Sequence, residues 1–473
     1  MSPSVAELLE ALPESAQRTE AEESEMRSLL ADLAERKVPV GSLHRFWLLG
    51  TLQAKIGLAY LAWWMRGTFS CSEKRQRDLN ETHLRTAMKL LGTMGYMRGT
   101  VMKLGQLFAN YPEIAPTQFS EVLSVLQFDA PRMHFSLLRE HFQNELGKSP
   151  EELFDEFETE AFAAASLGQV HRAKLKGSGK QVAIKIQYPD IARTIRDDFR
   201  GLATVLAPMR LSRDWDNILD QLNEIVRTLE LETDYEKEAE FLRRARLVFG
   251  EDENVVVPHV YPDLCTKRIL TMDYLDGVHI DDFLESNPSQ EARDRYGELV
   301  LLANMRIEYA LKTIYADPHP GNYVFLPNGK LGLIDFGCCR EIKDDEIRYV
   351  QLAHQACPGE DPELLRTLMI RGGLLTPAQQ ADEKRLELMM EFGRWLWLPI
   401  REGGAFDFGD EAHIRKGIEL FAEMTRRRYT RSMPLNTWLN RQFLGVRVLM
   451  HRLRARVRFN DIYVRERANG GWC

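Results

Sequence analysis

The chain is short of the features that mark secreted, membrane-spanning or nucleic-acid-binding proteins. Six cysteines stand among its 473 residues (Cys71, Cys265, Cys338, Cys339, Cys357 and Cys473), scattered and without a C-x-x-C pair. That offers neither a disulfide framework nor a zinc site and suits a reducing compartment. Excess positive charge is also absent: 62 Lys and Arg against 70 Asp and Glu give a net charge of -8, which argues against nucleic acid as a partner. The acidic N-terminus lacks the basic and apolar regions of a signal peptide, and its acidity disfavours a transit peptide. One stretch looks membrane-like, Phe46 to Met65, but Lys55 and Gln53 sit near its centre. A central Lys costs about 3 kcal/mol on insertion, so a buried or interfacial helix is expected rather than a span. Trp47, Trp63 and Trp64 near its ends suit an interface and a core equally well. The expectation is a cytoplasmic protein, with peripheral contact at the inner face of a membrane as the only membrane role. Neither repeats nor low-complexity segments are found.

What is present is the composition of a globular chain, 44% hydrophobic and 28% charged, too long for one core. Residues 1–80 read as a polar helical extension. Residues 81–157 read as a helical segment: a run from Glu81 to Asn110, with Leu90, Met94, Met97, Val101, Leu104 and Phe108 at helical spacing, stopped at Pro112, then a helical pair over about 117–157. Gly92, Gly95 and Gly99 interrupt that pattern at about 1 kcal/mol each against Ala, the mark of another backbone packing close by. Residues 158–276 read as a β-rich lobe. Strands are expected over Ala161 to Lys174 and Gln181 to Tyr188, joined at Gly177-Ser178-Gly179, then over Val255 to Val257 and Arg268 to Tyr274. A helical insert at about 190–228 belongs to a longer helical stretch, Asp190 to Phe249. Residues 277–473 read as a helical lobe, helical from Asp281 to Tyr315 and again after a central hairpin.

That hairpin, residues 316–337, reads ADPHPGNYVFLPNGKLGLIDFG. Asp317 and Asn322 are five apart, the offset of Asp and Asn in H-R-D-x-x-x-x-N, and Asp335-Phe336-Gly337 is a D-F-G tripeptide. The turn Pro327-Asn328-Gly329 lies between, giving loop, strand, tight turn, strand, loop. Phosphoryl transfer needs one carboxylate at the attacking hydroxyl, and an amide with a second carboxylate holding Mg²⁺ against the phosphates. Upstream, Val182-Ala183-Ile184-Lys185 is a V-A-I-K strand whose Lys is suited to α/β-phosphate charge. Before it, Ala163 to Val170 aligns on G-x-G-x-x-G-x-V with Ala163 and Ala165 in place of two glycines, while Gly168 and Val170 stay in register. Alanine tolerates positive φ poorly, so this loop must hold a nucleotide differently, with the Ser166 hydroxyl as an extra donor. For the acidic partner of Lys185, spacing leaves Glu230, Glu232, Asp234, Glu236, Glu238 and Glu240 all open.

Together these residues resemble the UbiB/AarF family of atypical kinases. Lys103-Leu104-Gly105-Gln106 matches its K-x-G-Q motif, Ala163-Ala164-Ala165-Ser166 its alanine-rich loop, Glu232-Thr233-Asp234 its E-x-D and Asp317 to Asn322 its D-P-H-P-G-N. The resemblance implies an α+β, protein-kinase-like bilobal fold with a β-rich N-lobe, a helical C-lobe, an N-terminal helical extension and an N-lobe insert. It picks Glu238 as the Lys185 partner and makes Lys103, Gly105, Gln106, Glu232 and Asp234 a gate over the site. It adds Met272 and Tyr274 to the nucleotide-binding set. ATP or ADP with Mg²⁺ is the implied cofactor, Asn322 and Asp335 the metal ligands, and Asp317 the base or water-orienting group.

Two functions from different classes follow. One is an atypical kinase or ATPase tied to isoprenoid-quinone (ubiquinone) biosynthesis, acting on a lipid or prenylated quinone precursor or hydrolysing ATP, alongside quinone-biosynthesis proteins. The other is a nucleotide-gated binding module that forms no phosphorylated product; the alanine loop and the covering K-x-G-Q helix favour it. His319 reads as a loop cap, and Cys338 and Cys339 as packing residues. The last stretch, Arg426 to Arg467, carries twelve Arg against Asp461 and Glu466. It reads as a solvated helix face, with anionic lipid headgroups as the alternative contact.

Overall fold

The structure, a computed structural model, describes residues 135–165, 167–193, 195–196, 223, 226–250, 254–356, 361–375, 382–427, 429 and 433–472. The stretch Phe46 to Met65, the motif Lys103 to Gln106 and Ser166 lie outside the described residues. The chain divides into two units, Met1–Lys176 with Ile184–Thr233, and Gly177–Ala183 with Asp234–Cys473.

In the first unit, helix α1 (Phe135–Leu146) buries Phe135, Leu138 and Phe142, spaced along one face. It stops at Gly147, which takes φ +70°. A one-turn helix, α2 (Pro150–Leu153), starts with Pro at its first position, and Glu152 accepts from the Ser149 N–H at 2.7 Å. The helical pattern expected through 157 then fails: Phe154–Phe157 is strand β1. Its pairing with β3 (Gly168–Leu175) and the packing of its two phenylalanines outweigh the helix propensity of the acidic residues between them. Phe154 and Phe157 join Phe135, Phe142 and His171 in one aromatic cluster, with Phe157 stacked on His171 at 5.3 Å. The single strand expected from Ala161 is instead a hairpin of β2 (Ala163–Ala165) and β3, with Ala163 opposite Val170 and Ala165 opposite Gly168. Strand β4 (Gln181–Gln187) follows the Gly177-Ser178-Gly179 turn, where Gly177 and Gly179 both take positive φ. Its second half lies beside β3 in the first unit.

A Cβ on Gly168 would overlap the carbonyl oxygen of Ile186. Since that neighbour is backbone, it cannot swing aside as a side chain can. Gly168→Ala should therefore cost about 1–3 kcal/mol, read by urea unfolding.

In the second unit the first half of β4 is followed by α3 (Tyr235–Phe249), β5 (Val255–Val256) and β6 (Ile269–Asp273). Then come α4 (Ile280–Glu285) and the long α5 (Gln290–Leu311), whose Leu299, Val300, Ala303 and Ile307 are buried. The helix expected to reach Tyr315 ends earlier. Lys312 adopts a left-handed conformation at φ 50° and turns the chain into β7 (Thr313–Tyr315), a β-branched and aromatic run. Strands β8 (Tyr323–Leu326), β9 (Lys330–Leu333) and β10 (Cys339–Glu341) follow. The remainder is α6 (Asp344–Ala356), α7 (Pro362–Arg371), α8 (Glu383–Leu396), α9 (Leu398–Arg401), β11 (Phe406–Asp407), α10 (Glu411–Arg426), α11 (Pro434–Leu453), β12 (Arg456–Val457) and α12 (Phe459–Asn469). Helix α5 is the axis of this unit, with α3, α11 and α12 packed on it. No described helix is long and apolar enough to cross a membrane.

The C-terminal arginines are mostly paired. Arg426 and Arg427 meet Glu423, Arg452 meets Asp281, Arg456 meets Asp407, and Arg465 meets Glu466. Arg447 is buried and donates to the Leu396 carbonyl at the end of α8. Asp281 and Asp407 come from other elements, whereas Glu423 and Glu466 are sequence neighbours of the arginines they meet.

Candidate active site

The site is built where two loops are each tied off at both ends. Strands β8 and β9 pair antiparallel with Tyr323 opposite Leu333, around a turn in which Asn328 and Gly329 take φ 66° and 70°. The ladder extends one step further, the Ile334 N–H donating to the Asn322 carbonyl at 3.2 Å. On the far side β7 pairs with β10, Tyr315 opposite Cys339, and the Ala316 N–H donates to Cys338 O at 3.0 Å. The loop 317–322 and the loop 335–337 are thus held face to face by backbone bonds at their ends. The expected order of loop, strand, turn and strand is what is found.

Within that frame the side chains shape their own backbone. Asn322 donates through Nδ2 to the Asp317 carbonyl at 2.7 Å, so Oδ1 is the oxygen it presents to other groups. His319 caps the loop: its Nδ1 accepts from the Gly321 N–H at 3.1 Å, and its carbonyl accepts from the Asn322 N–H at 2.9 Å. Asp335 Oδ1 accepts from the Gly337 N–H at 2.9 Å, which fixes the carboxylate. Helix α3 brings in a further acid. Glu238 is buried and its Oε1 accepts from the Phe336 N–H at 3.2 Å, whereas Glu236 and Glu240 are exposed. Asp234 has a structural task as the N-cap of that helix, accepting from the Lys237 N–H at 3.3 Å.

Two residues outside every motif complete the site. Tyr315 donates its hydroxyl to the Asp335 carbonyl at 2.8 Å, and its N–H donates to Gln442 Oε1 at 2.8 Å. Burial above all, then the acidic groups around it including Asp335 and Asp317, pushes the Tyr315 phenol well above its ordinary value, so it stays a donor. A tyrosine ending a strand two residues before Asp317 was a signal available in sequence; nothing there marks Gln442. Burial likewise pushes the Cys339 thiol well up, with Cys338, Asp335, Glu238 and Asp317 adding to it. The thiol is inert packing, as expected of it.

Asp317, Asn322, Asp335 and Glu238 are therefore brought together in the second unit. Met272 and Tyr274 belong to that unit too: Met272 is buried on β6, and the Tyr274 N–H donates to Gln181 O at 3.2 Å. Lys185, Ala163, Ala164, Ala165, Gly168, Val170 and Glu232 belong to the first unit. There Lys185 is buried on β4. Gln187, two residues on and so on the same face of the strand, donates to the Thr233 carbonyl at 2.8 Å. The residues present suit Mg²⁺: the carboxylate of Asp335 and the amide oxygen of Asn322 are hard oxygen donors, with no thiol or imidazole in the set.

Comparison with known proteins places these features in a group. A profile of the ABC1 atypical kinase-like domain matches residues 125–366. Atypical kinase COQ8B, mitochondrial, of Danio rerio is 28% identical over 91% of this chain and 69% of its own length. The probable serine/threonine-protein kinase abkA of Dictyostelium discoideum is 25% identical over 90% of this chain and 79% of its own. Among solved structures, the Mycobacterium tuberculosis protein Rv3197 in its erythromycin complex is similar at a TM-score of 0.53. It is 25% identical, with 83% of this chain and 97% of that one covered.

Proposed function

We propose, because this chain belongs to the ABC1 atypical kinase-like (UbiB/AarF) family, that it binds ATP with Mg²⁺ and transfers or hydrolyses the γ-phosphate. The acceptor is a small molecule or a lipid rather than a protein side chain. The observation that carries this reading is the pair of loops tied off at both ends, with Asn322, Asp335 and Asp317 on them and Glu238 on the Phe336 N–H. Mg²⁺ bound by Asn322 and Asp335 would neutralise charge on the phosphates. Asp317 accepts the proton of the attacking hydroxyl or water. Its loop is held by Asn322 and His319, so little reorganisation remains for the transfer step. The family resemblance gives Lys185, in its V-A-I-K setting, the α/β-phosphates with Glu238 as its acidic partner. It gives Ala163 to Val170, Met272 and Tyr274 to the nucleotide. The family resemblance and the relative named COQ8B support a role in isoprenoid-quinone biosynthesis, and a prenylated phenol is the acceptor to test for that role.

Purified protein incubated with labelled ATP, Mg²⁺ and a prenylated phenol should release ADP, with label on the phenol or on free phosphate. Tight nucleotide binding with neither outcome would turn the assignment to the nucleotide-gated module.

A further inference from the structure

Tyr315 is tied to both loops of the site, by its place two residues before Asp317 and by its hydroxyl on the Asp335 carbonyl. Beyond its pairing with β10, Tyr315 is held from the distant helix α11, itself bonded to α5. Gln442 on α11 is buried, its Oε1 accepting from the Tyr315 N–H at 2.8 Å and its Nε2 donating to Glu308 Oε2 on α5 at 2.7 Å. Only one orientation of the amide satisfies both partners, so its direction is fixed. Glu308 is itself buried, and its Oε1 lies 3.4 Å from His354 Nε2 on α6; His354 Nδ1 lies 3.1 Å from the Tyr463 hydroxyl on α12. One helical turn along α11 from Gln442, Gly445 packs so closely on Pro318 that a Cβ there would overlap the proline ring. The same face of α11 thus meets the end of β7 by a hydrogen bond and the catalytic loop after it by direct packing.

We infer that Gln442 is a positioning residue for phosphoryl transfer, holding Tyr315, and through it Asp317 and Asp335, in register by means of the buried Glu308–Gln442–Tyr315 chain. The inference rests on the phosphoryl-transfer reading above. A buried N–H left without its acceptor costs more than the bond itself contributes, so loss of Gln442 lets the Tyr315 backbone shift. A small displacement of a reacting group is expensive in rate and cheap in nucleotide affinity.

The chain can be reversed. Gln442→Glu alone sets a second carboxylate against Glu308 in a buried place. Adding Glu308→Gln restores every bond with donor and acceptor exchanged: the new amide donates to residue 442 and offers its oxygen to His354, while residue 442 still accepts from Tyr315. Turnover of Mg²⁺-ATP and amide exchange across residues 313–323 would be measured in full-length wild type, Gln442→Met, Gln442→Glu and the swapped pair. Expected for each single variant is a kcat lower by about tenfold or more, a KM for ATP within about twofold, and faster exchange of the Tyr315 amide. The swapped pair should recover both. Full kcat in Gln442→Met overturns the inference, and so does a swapped pair that regains protection but not kcat. If Gln442→Met does not fold, Gln442→Glu against the swapped pair carries the test. A wild type without turnover defeats the phosphoryl-transfer reading instead. Exchange alone then decides, and a Tyr315 amide equally protected in all four proteins overturns the role given to Gln442.

Discussion

Asp335→Asn should lower Mg²⁺-dependent ATP turnover by roughly a thousandfold, ~4 kcal/mol of transition-state stabilisation, while leaving thermal stability close to that of wild type. The stability half follows from how Asp335 is held. Its Oδ1 accepts from the Gly337 N–H, and an Asn oxygen accepts equally well. Its carbonyl bond from Tyr315, and the bond from the neighbouring Phe336 N–H to Glu238, involve backbone atoms of this loop and survive the change. The turnover half follows from the same bond. With the Asn oxygen turned to Gly337, its NH₂ stands where the second carboxylate oxygen was, presenting a donor where a cation needs an acceptor. The measurement is ADP release against Mg²⁺ concentration, beside a melting curve. An Asp335→Asn protein with wild-type Mg²⁺ dependence would remove Asp335 from the metal. Asp317→Asn makes the contrast: Asn322 bonds to the backbone of Asp317, not to its carboxylate, so the loop keeps its shape and the loss falls on proton acceptance.

How much of this was legible in sequence differs by element. The hairpin was, since Pro327-Asn328-Gly329 between two apolar runs is a local signal and the offsets of Asp317, Asn322 and Asp335 are local too. The acidic helix around 230–240 was legible as a helix but not as a choice of residue. Only the fold distinguishes buried Glu238 from exposed Glu236 and Glu240. Strands β1 and β7 were lost inside helical patterns because each is short and is completed by a partner strand distant in sequence: Phe154–Phe157 by β3, and Thr313–Tyr315 by β10. Gln442 was invisible for the same reason, a neutral amide in a helix whose partners are a backbone N–H and a carboxylate more than a hundred positions away. The arginine-rich end was legible in part. Its composition announced the exposed arginines that Arg426, Arg452 and Arg456 are, but not that Asp281 and Asp407, in other elements, would meet two of them.

Glu466 is the strongest instance of that pairing, and Glu466→Ala should cost about 3 kcal/mol. It lies on α12 with its carboxylate buried, receiving Arg306 Nε at 2.9 Å and an Arg306 terminal nitrogen at 3.2 Å, with Arg465 Nε at 3.0 Å. Removing one partner of a buried, bidentate pair leaves the other charge uncompensated, and that penalty exceeds what the pair contributes over an apolar contact. Arg306 belongs to α5, two residues before Glu308, so the break falls on the contact between the axial helix and the C-terminal one. The melting temperature should fall by roughly 5–10 °C for a unit of this size. Acid supplies an independent check. Burial opposes ionisation of Glu466, but the bonds and charges of Arg306 and Arg465 outweigh it and hold the carboxyl below its ordinary value of 4.5. A carboxyl depressed in the folded state contributes stability that is fully present above the unfolded value and is lost as pH falls through the folded one. The stability gap between wild type and Glu466→Gln should therefore be flat above about pH 4.5 and close below it. Urea titrations of both proteins from pH 7 to pH 3 read this directly. A gap that widens towards acid, or that is absent at pH 7, would mean the Arg306–Glu466 pair does not join the two helices.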